Sequence, residues 1–213
     1  MESANFLRND EEKKKGHTMK NIKDNNFYVA LVHYPIKNKE AEVITTAVTN
    51  VDVHDLARLS VTFGFKNYYV ITPIVEQQAL VGRILEHWKG DYGKLRNNKR
   101  SVALDTVIIS PSLESAISNI KSSTGKEVKV VATTARMTEK SLSMNNFAKS
   151  IDQNYAYLLV FGTGWGLVDD IIQKADYVLE PLFYDTDYNH LPVRSAVSII
   201  MDRLYNALDG GVA

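Results

Sequence analysis

Tyr155-Ala-Tyr-Leu-Leu-Val-Phe-Gly-Thr-Gly-Trp-Gly-Leu167 carries no charge. From Tyr155 to Phe161 every side chain is aliphatic or aromatic, as in a strand covered on both faces. Gly162, Gly164 and Gly166 follow. Glycines here let the backbone turn with φ > 0, and let a flat ligand approach main-chain N–H and C=O groups without meeting a Cβ. A plain strand-to-helix connection uses glycines too, since short glycine motifs are weak alone. A second short apolar run, Ala175-Asp-Tyr-Val-Leu-Glu-Pro181, ends in Glu180-Pro181. Asp187-Tyr-Asn-His-Leu-Pro-Val-Arg-Ser-Ala196 then opens a long amphipathic helix.

Working outward, the rest of the chain alternates strand and helix. Phe27 to Tyr34 is apolar and aromatic, stopped by Pro35. Val43 to Val48 is β-prone. Asn50 to Asp52 offers caps for a helix to Phe63, with Gly64 as its C′ residue. Strands are expected over 66–72, 106–109, 128–133 and 177–179. Helices are expected over 75–89, 112–122, 139–151, 167–174 and 192–208, with 90–100 a polar loop. The final helix places Val193, Val197, Ile200 and Leu204 on one stripe. This alternation predicts an α/β fold: a mostly parallel sheet flanked by helices, binding ligands at the carboxyl ends of its strands.

The chain has 213 residues, 45% hydrophobic and 23% charged, which suits one good-sized core. Residues 1–25 are polar and of mixed charge and are expected to form a disordered arm. The folded domain is expected over 26–208, with a flexible tail at 209–213. There is no cysteine, which excludes disulfides and thiolate metal sites and fits a cytoplasmic location. No run approaches the ~18 apolar residues of a membrane span. The histidines lack metal-ligand spacing, so no metal is expected. Net charge is zero, which argues against a generally basic nucleic-acid coat but not against a local patch.

Four constellations carry candidate chemistry. Gly162 to Gly166, with Glu180 eighteen residues beyond Gly162, resembles a dinucleotide fingerprint. Its late position strains that assignment, because only one helix fits after Glu180. Asn189 and His190 can cap the final helix or meet a ligand. Arg194 in that helix's first turn is badly placed for the helix dipole, so an anion or a carboxylate partner would explain it. Asn50, His54 and Arg58 share a polar helix face, which is either functional or simply wet. Arg83 to Arg100 is basic, with Trp88 and Tyr92 interleaved. Such rings can stack on bases, or the stretch is an exposed loop.

Taken together, Val48-Thr-Asn-Val-Asp-Val-His-Asp-Leu-Ala-Arg58, Phe63-Gly64, Leu159-Val-Phe-Gly-Thr-Gly-Trp-Gly-Leu167 and Tyr188-Asn-His-Leu-Pro-Val-Arg-Ser-Ala196 resemble the SPOUT class of S-adenosylmethionine-dependent RNA methyltransferases. The resemblance covers residues 27 to 208 and is nearest to the small bacterial single-domain branch. It accounts for the late glycine loop, because this class binds its cofactor at the carboxyl end of the fold. It implies a deep trefoil knot, a rare exception to the rule against threading.

The resemblance further implies S-adenosylmethionine as cofactor, RNA (tRNA or rRNA) as substrate and a homodimer that includes the final helix. Cofactor contacts carried over by motif are Phe161, Gly162, Thr163, Gly164, Gly166, Leu179, Pro181, Leu191, Val193 and Ser195, with Thr133 and Ala135 on the adenine side. Catalytic or substrate contacts are Asn50, Arg58, Asn189 and Arg194, with Asp55 a conceivable base. The methyl acceptor is a base nitrogen or a ribose oxygen. Arg83 to Arg100, or else a second protein, is expected to do the work of a separate RNA-binding domain. A knotted but non-catalytic RNA-binding or ribosome-associated protein is the alternative from another class. A nicotinamide-dependent oxidoreductase is the third.

Overall fold

The computed structural model describes residues 26–90, 98–186 and 188–209. The expected arm (1–25), most of the expected tail, residues 91–97 of the basic stretch and Asp187 lie outside them. β1 (Asn26–Val32) pairs in parallel with β4 (Tyr68–Ile71) on one side and β8 (Ala156–Gly162) on the other. Phe27 lies opposite Tyr157, and Val32 opposite Gly162. β5 (Val107–Ser110), β6 (Val128–Ala132), β7 (Ser141–Leu142) and β9 (Tyr177–Leu179) complete a seven-stranded sheet in the order β5-β4-β1-β8-β6-β9-β7. Every pairing in it is parallel. The chain builds outward from β1 to β5, crosses to β6, and returns β8 to the gap beside β1. Such a reversal opens a crevice at the strands' carboxyl ends.

Period-two alternation splits the core between the two faces. Phe27, Val29 and Leu31 belong to one cluster, and Tyr28, Ala30 and Val32 to the other. The first face is covered by α1 (Asn50–Phe63), α2 (Val75–Lys89), α3 (Asn98–Leu104), α5 (Met144–Ser150) and α7 (Val193–Leu208). The second is covered by α4 (Leu113–Thr124) and α6 (Asp169–Lys174). In β8, Ala156 to Phe161 is buried on both faces, as its uncharged sequence requires.

The helix ends follow their capping chemistry. Thr49 caps α1, its hydroxyl accepting from Asp52 N at 3.2 Å, so the cap lies one residue before the expected stretch. Gly64, at φ 78°, closes the helix in the left-handed region as expected.

Three expectations differ from the structure. The β-prone run 43–48 forms only β3 (Val43–Ile44), antiparallel to an unforeseen β2 (Ile36–Lys37). Two residues per strand leave no periodicity to read. The helix expected over 139–151 begins only at Met144, capped by Ser143, because Ser141 and Leu142 pair with β9 as β7. The last residues of the expected polar loop start α3, which buries Ser101, Ala103 and Leu104.

On α7 the apolar stripe of Val197, Ile200, Met201, Leu204 and Leu208 is buried within this chain. Ser195, Asp202, Arg203, Tyr205 and Asn206 face outward.

Candidate active site

The crevice at the carboxyl ends of β6 and β8 holds a cavity of about 1310 Å³. Its walls are the loop after β8 (162–167), the segment after β6 (133–140) and the segment leading into α7 (188–193). Lys37, Thr46 and Asp52 close one side.

The glycine loop is shaped by contacts with its own chain. A Cβ on Gly162 would lie 2.5 Å from Leu167 N and 2.7 Å from the carbonyl carbon of Gly166. At Gly164 (φ 57°) it would meet Ile36 Cδ1 at 3.0 Å. Both glycines therefore serve packing. Gly166, at φ 98°, has open space where a Cβ would stand. Two main-chain bonds fasten the loop to β2: Trp165 N donates to Lys37 O at 3.2 Å, and Lys37 N donates to Gly166 O at 2.9 Å.

Beneath the loop runs a buried polar chain. His33 Nδ1 is 3.2 Å from Thr46 Oγ1, which is 2.5 Å from Thr163 Oγ1, which donates to Val32 O at 3.0 Å. The arrangement that uses every hydroxyl proton makes His33 Nδ1–H the first donor. His33 Nε2 then has no partner among the described residues. Burial pushes the imidazole pKa down to about 4, against the opposing pull of Asp52 and of the Ala47 main chain.

Asp52 is the charged centre of this wall. It is nearly buried, and its Oδ2 accepts the Thr49 hydroxyl at 2.5 Å. Its Oδ1 lies 3.4 Å from Arg194 Nε, while Arg194 Nη1 donates to Asp55 Oδ2 at 2.9 Å. The carboxylate partner that Arg194 called for is thus a pair of acids on α1. Tyr68 is fully buried, its hydroxyl without a partner among the described residues, and its pKa is pushed well above the usual value by burial first and by Asp52 second.

The cavity brings together Thr133, Ala135, Phe161, Gly162, Thr163, Gly164, Gly166, Asn189, Leu191 and Val193 from the expected set. It does not receive the others. Leu179 and Pro181 are buried outside its lining, Leu179 paired with Leu142 in the sheet. Ser195, Arg58 and Arg194 line an adjacent cleft of about 440 Å³, with Asp55, Leu59, Thr62, Pro192 and Ser198. Asn50 is exposed at the first position of α1. The face shared with Arg58 is divided, because His54 turns its ring edge-on to Trp88 at 5.6 Å. Burial, then Arg100, holds the His54 pKa below its usual value.

Trp88 is half-buried, with the Arg100 guanidinium 4.4 Å above its ring and His87 against it edge-on. Its surroundings are already protein, which argues against base stacking there. Tyr92 lies outside the described residues. Glu180 is exposed and outside the cavity lining, so the ribose contact of a dinucleotide fingerprint is not met. Sequence reasoning passed over Asp52 as a site residue. The available signal was the unexplained Arg194, whose charge demanded an acid.

A family model described as SAM-dependent RNA methyltransferase matches residues 26–206. A protein of Oleidesulfovibrio alaskensis named tRNA (guanine-N(1)-)-methyltransferase is 39% identical over 179 residues, 84% of this chain. The chain spans only 42% of that relative's length. An uncharacterized protein of Aquifex aeolicus is 35% identical over 184 residues, 85% of this chain and 89% of its own. The structure of a probable methyltransferase from Bordetella pertussis shares the fold, with a TM-score of 0.58 at 14% identity, covering 88% of this chain and 97% of that one. The matched region contains every strand of the sheet and the whole cavity wall, and the chain belongs to the SAM-dependent RNA methyltransferase family.

Proposed function

We propose that the cavity binds S-adenosylmethionine and that the protein transfers a methyl group to RNA, a tRNA or rRNA. The carrying observation is that the family match spans every segment that walls the cavity. The residues present fit the cofactor. Gly166 leaves open space at the cavity wall, and Phe161, Leu167, Leu182 and Ile200 supply apolar lining beside main-chain groups of the loop. Thr133 and Ala135 would border the adenine, and Leu191 and Val193 the opposite side. Leu179 and Pro181 would shape the cavity from behind.

When bound, the cofactor supplies a methyl group on a positively charged sulfur. The chain's own task is to hold the RNA acceptor atom in line and remove its proton. Asp52 is placed for the second task, in preference to Asp55, which opens on the neighbouring cleft. Its Oδ2 accepts the Thr49 hydroxyl and its Oδ1 faces Arg194 Nε, so the proton would be taken on the remaining lone pair of Oδ1. Arg194, held between Asp52 and Asp55, positions that carboxylate. Asn189 would meet the acceptor nucleotide within the cavity. Asn50, Arg58 and Ser195 would meet the flanking phosphates outside it.

A homodimer and a threaded, knotted carboxyl-terminal segment belong to the same proposal. The resemblance supports both, and the path of the chain, which leaves β9 and returns to pack α7 on α1 and α5, supports the second.

Isothermal titration with S-adenosylmethionine, and with NADH in parallel, tests this. Ala135 is exposed and lines the cavity, so Ala135→Trp fills it without disturbing the core. Saturable binding of S-adenosylmethionine, at least tenfold weaker in that variant at unchanged melting temperature, is the expected result, the factor being about what a lost contact of 1.4 kcal/mol gives. Transfer of labelled methyl to total tRNA or rRNA is the second arm. Cofactor binding with no transfer to either would favour the non-catalytic alternative.

A further inference from the structure

Three large rings stand exposed at the mouth of the cavity. Trp165 is 51% exposed and Tyr188 75% exposed, and His190 lies between them. His190 meets Trp165 edge-on at 6.2 Å and Tyr188 edge-on at 5.3 Å. All three line the cavity, yet they come from two separate segments. Contiguous exposed aromatics are costly in water and mark binding sites. No two of these rings stack face to face, so flat surface remains available to a ligand.

Two further observations say what that ligand is. A single small-molecule site usually occupies about 300–1,000 Å³. The cavity's 1310 Å³ exceeds this, leaving space for a second group beside the cofactor. The charged lining is balanced, with Lys37, Arg136 and Lys140 against Asp52, Glu139 and Asp169. Lys37 is paired to Asp169, and the Lys140 ammonium donates to Gln173 O. Phosphate attraction is therefore weak within this cavity. A neutral, planar group is what the lining suits.

We infer that Trp165, His190 and Tyr188 form a stacking platform for the RNA base that carries or adjoins the methyl-accepting atom. The inference rests on the RNA methyltransferase assignment above. Single-stranded bases are recognised chiefly by stacking on such rings. The platform receives an unstacked base and delivers it toward Asp52, at the cavity wall.

The chain contains two tryptophans, so Trp88→Phe leaves Trp165 as the sole indole reporter. That variant is titrated with S-adenosylmethionine, then with total tRNA and with short single-stranded adenosine, guanosine, cytidine and uridine oligonucleotides. Quenching of Trp165 by at least one RNA is expected. Measured by anisotropy of the end-labelled RNA and by calorimetry for the cofactor, Trp165→Ala should weaken that RNA by roughly tenfold and leave cofactor affinity unchanged, while Trp165→Phe retains most RNA affinity. Unaltered RNA binding in Trp165→Ala, or no quenching by any RNA while the cofactor binds, overturns the platform. Parallel loss of cofactor affinity in Trp165→Ala assigns the rings to the cofactor and also overturns it. Failure of the parent protein to bind S-adenosylmethionine removes the underlying assignment itself.

Discussion

Asp52 meets Thr49, Arg194 and the cavity at once. Replacing it with Asn keeps its shape but removes the proton acceptor. Asp52→Asn should lower the single-turnover rate of methyl transfer by about 10²–10³-fold, in line with general-base catalysis, with little change in cofactor affinity. Asp55→Asn should cost less than about tenfold, because Asp55 acts through Arg194 alone. Equal losses in the two variants would remove Asp52 from the role of base. His33, beneath the same wall, makes a prediction about pH. Its folded pKa of about 4 lies below the ordinary 6.5, so above pH ~6.5 both states are neutral and the group adds no slope. As pH falls from ~6.5 toward ~4 the unfolded chain takes up the proton first, and stability is lost through that window. The shift corresponds to about 3 kcal/mol. Urea unfolding at pH 7 and pH 4.5 should show His33→Asn losing about 2 kcal/mol less than the parent between the two. An equal loss in both proteins would show that His33 does not titrate as its burial dictates.

At the level of elements, the loop after β8 shows what sequence carried and what it hid. β8 was legible because seven uncharged residues suit one environment, a strand buried on both faces. The final helix and α1 were legible through their apolar spacing and Gly64. The short β2 and β7 were not, because two residues carry no readable periodicity, and β7 is specified by a partner strand far along the chain. The glycines do fall in a loop that walls the cavity, but their reasons differ from the expectation. Only Gly166 leaves room on the cavity side, while Gly162 and Gly164 are required by neighbouring protein atoms. Gly162→Ala should therefore destabilise the fold by about 1–3 kcal/mol, the range for overpacking against backbone that cannot rotate away. Gly166→Ala meets no atom and pays only the left-handed conformation, about 1–2 kcal/mol. Chemical denaturation of the two variants measures both. A Gly162→Ala protein as stable as the parent would show that the loop backbone relaxes around the added methyl.

For the molecule as a whole, composition, alternation and motif order were enough for the parallel sheet and for most of the cavity wall. The links that complete the site join residues far apart in the chain. Thr46 and Thr163 are 117 positions apart, and Arg194 and Asp55 are 139 apart. Their pairing depends on the return of β8 and α7 to the first half of the sheet, which local pattern does not encode. The charge distribution yields the last prediction. The chain is neutral overall, and its cavity lining is balanced. An RNA held mainly by stacking at Trp165 and by the cavity releases few counterions. Each phosphate contact on a single strand contributes about −0.7 to the slope of log K against log salt. Two or three contacts around Arg58 and Arg136 then give a slope of about −1.4 to −2. Fluorescence titration of a single-stranded oligonucleotide across a range of salt concentrations measures it. A slope much steeper than this would place the dominant grip on cations outside the cavity lining, a set that includes Lys66, Arg83, Lys94 and Arg96. The cavity would then select the nucleotide without supplying most of the affinity.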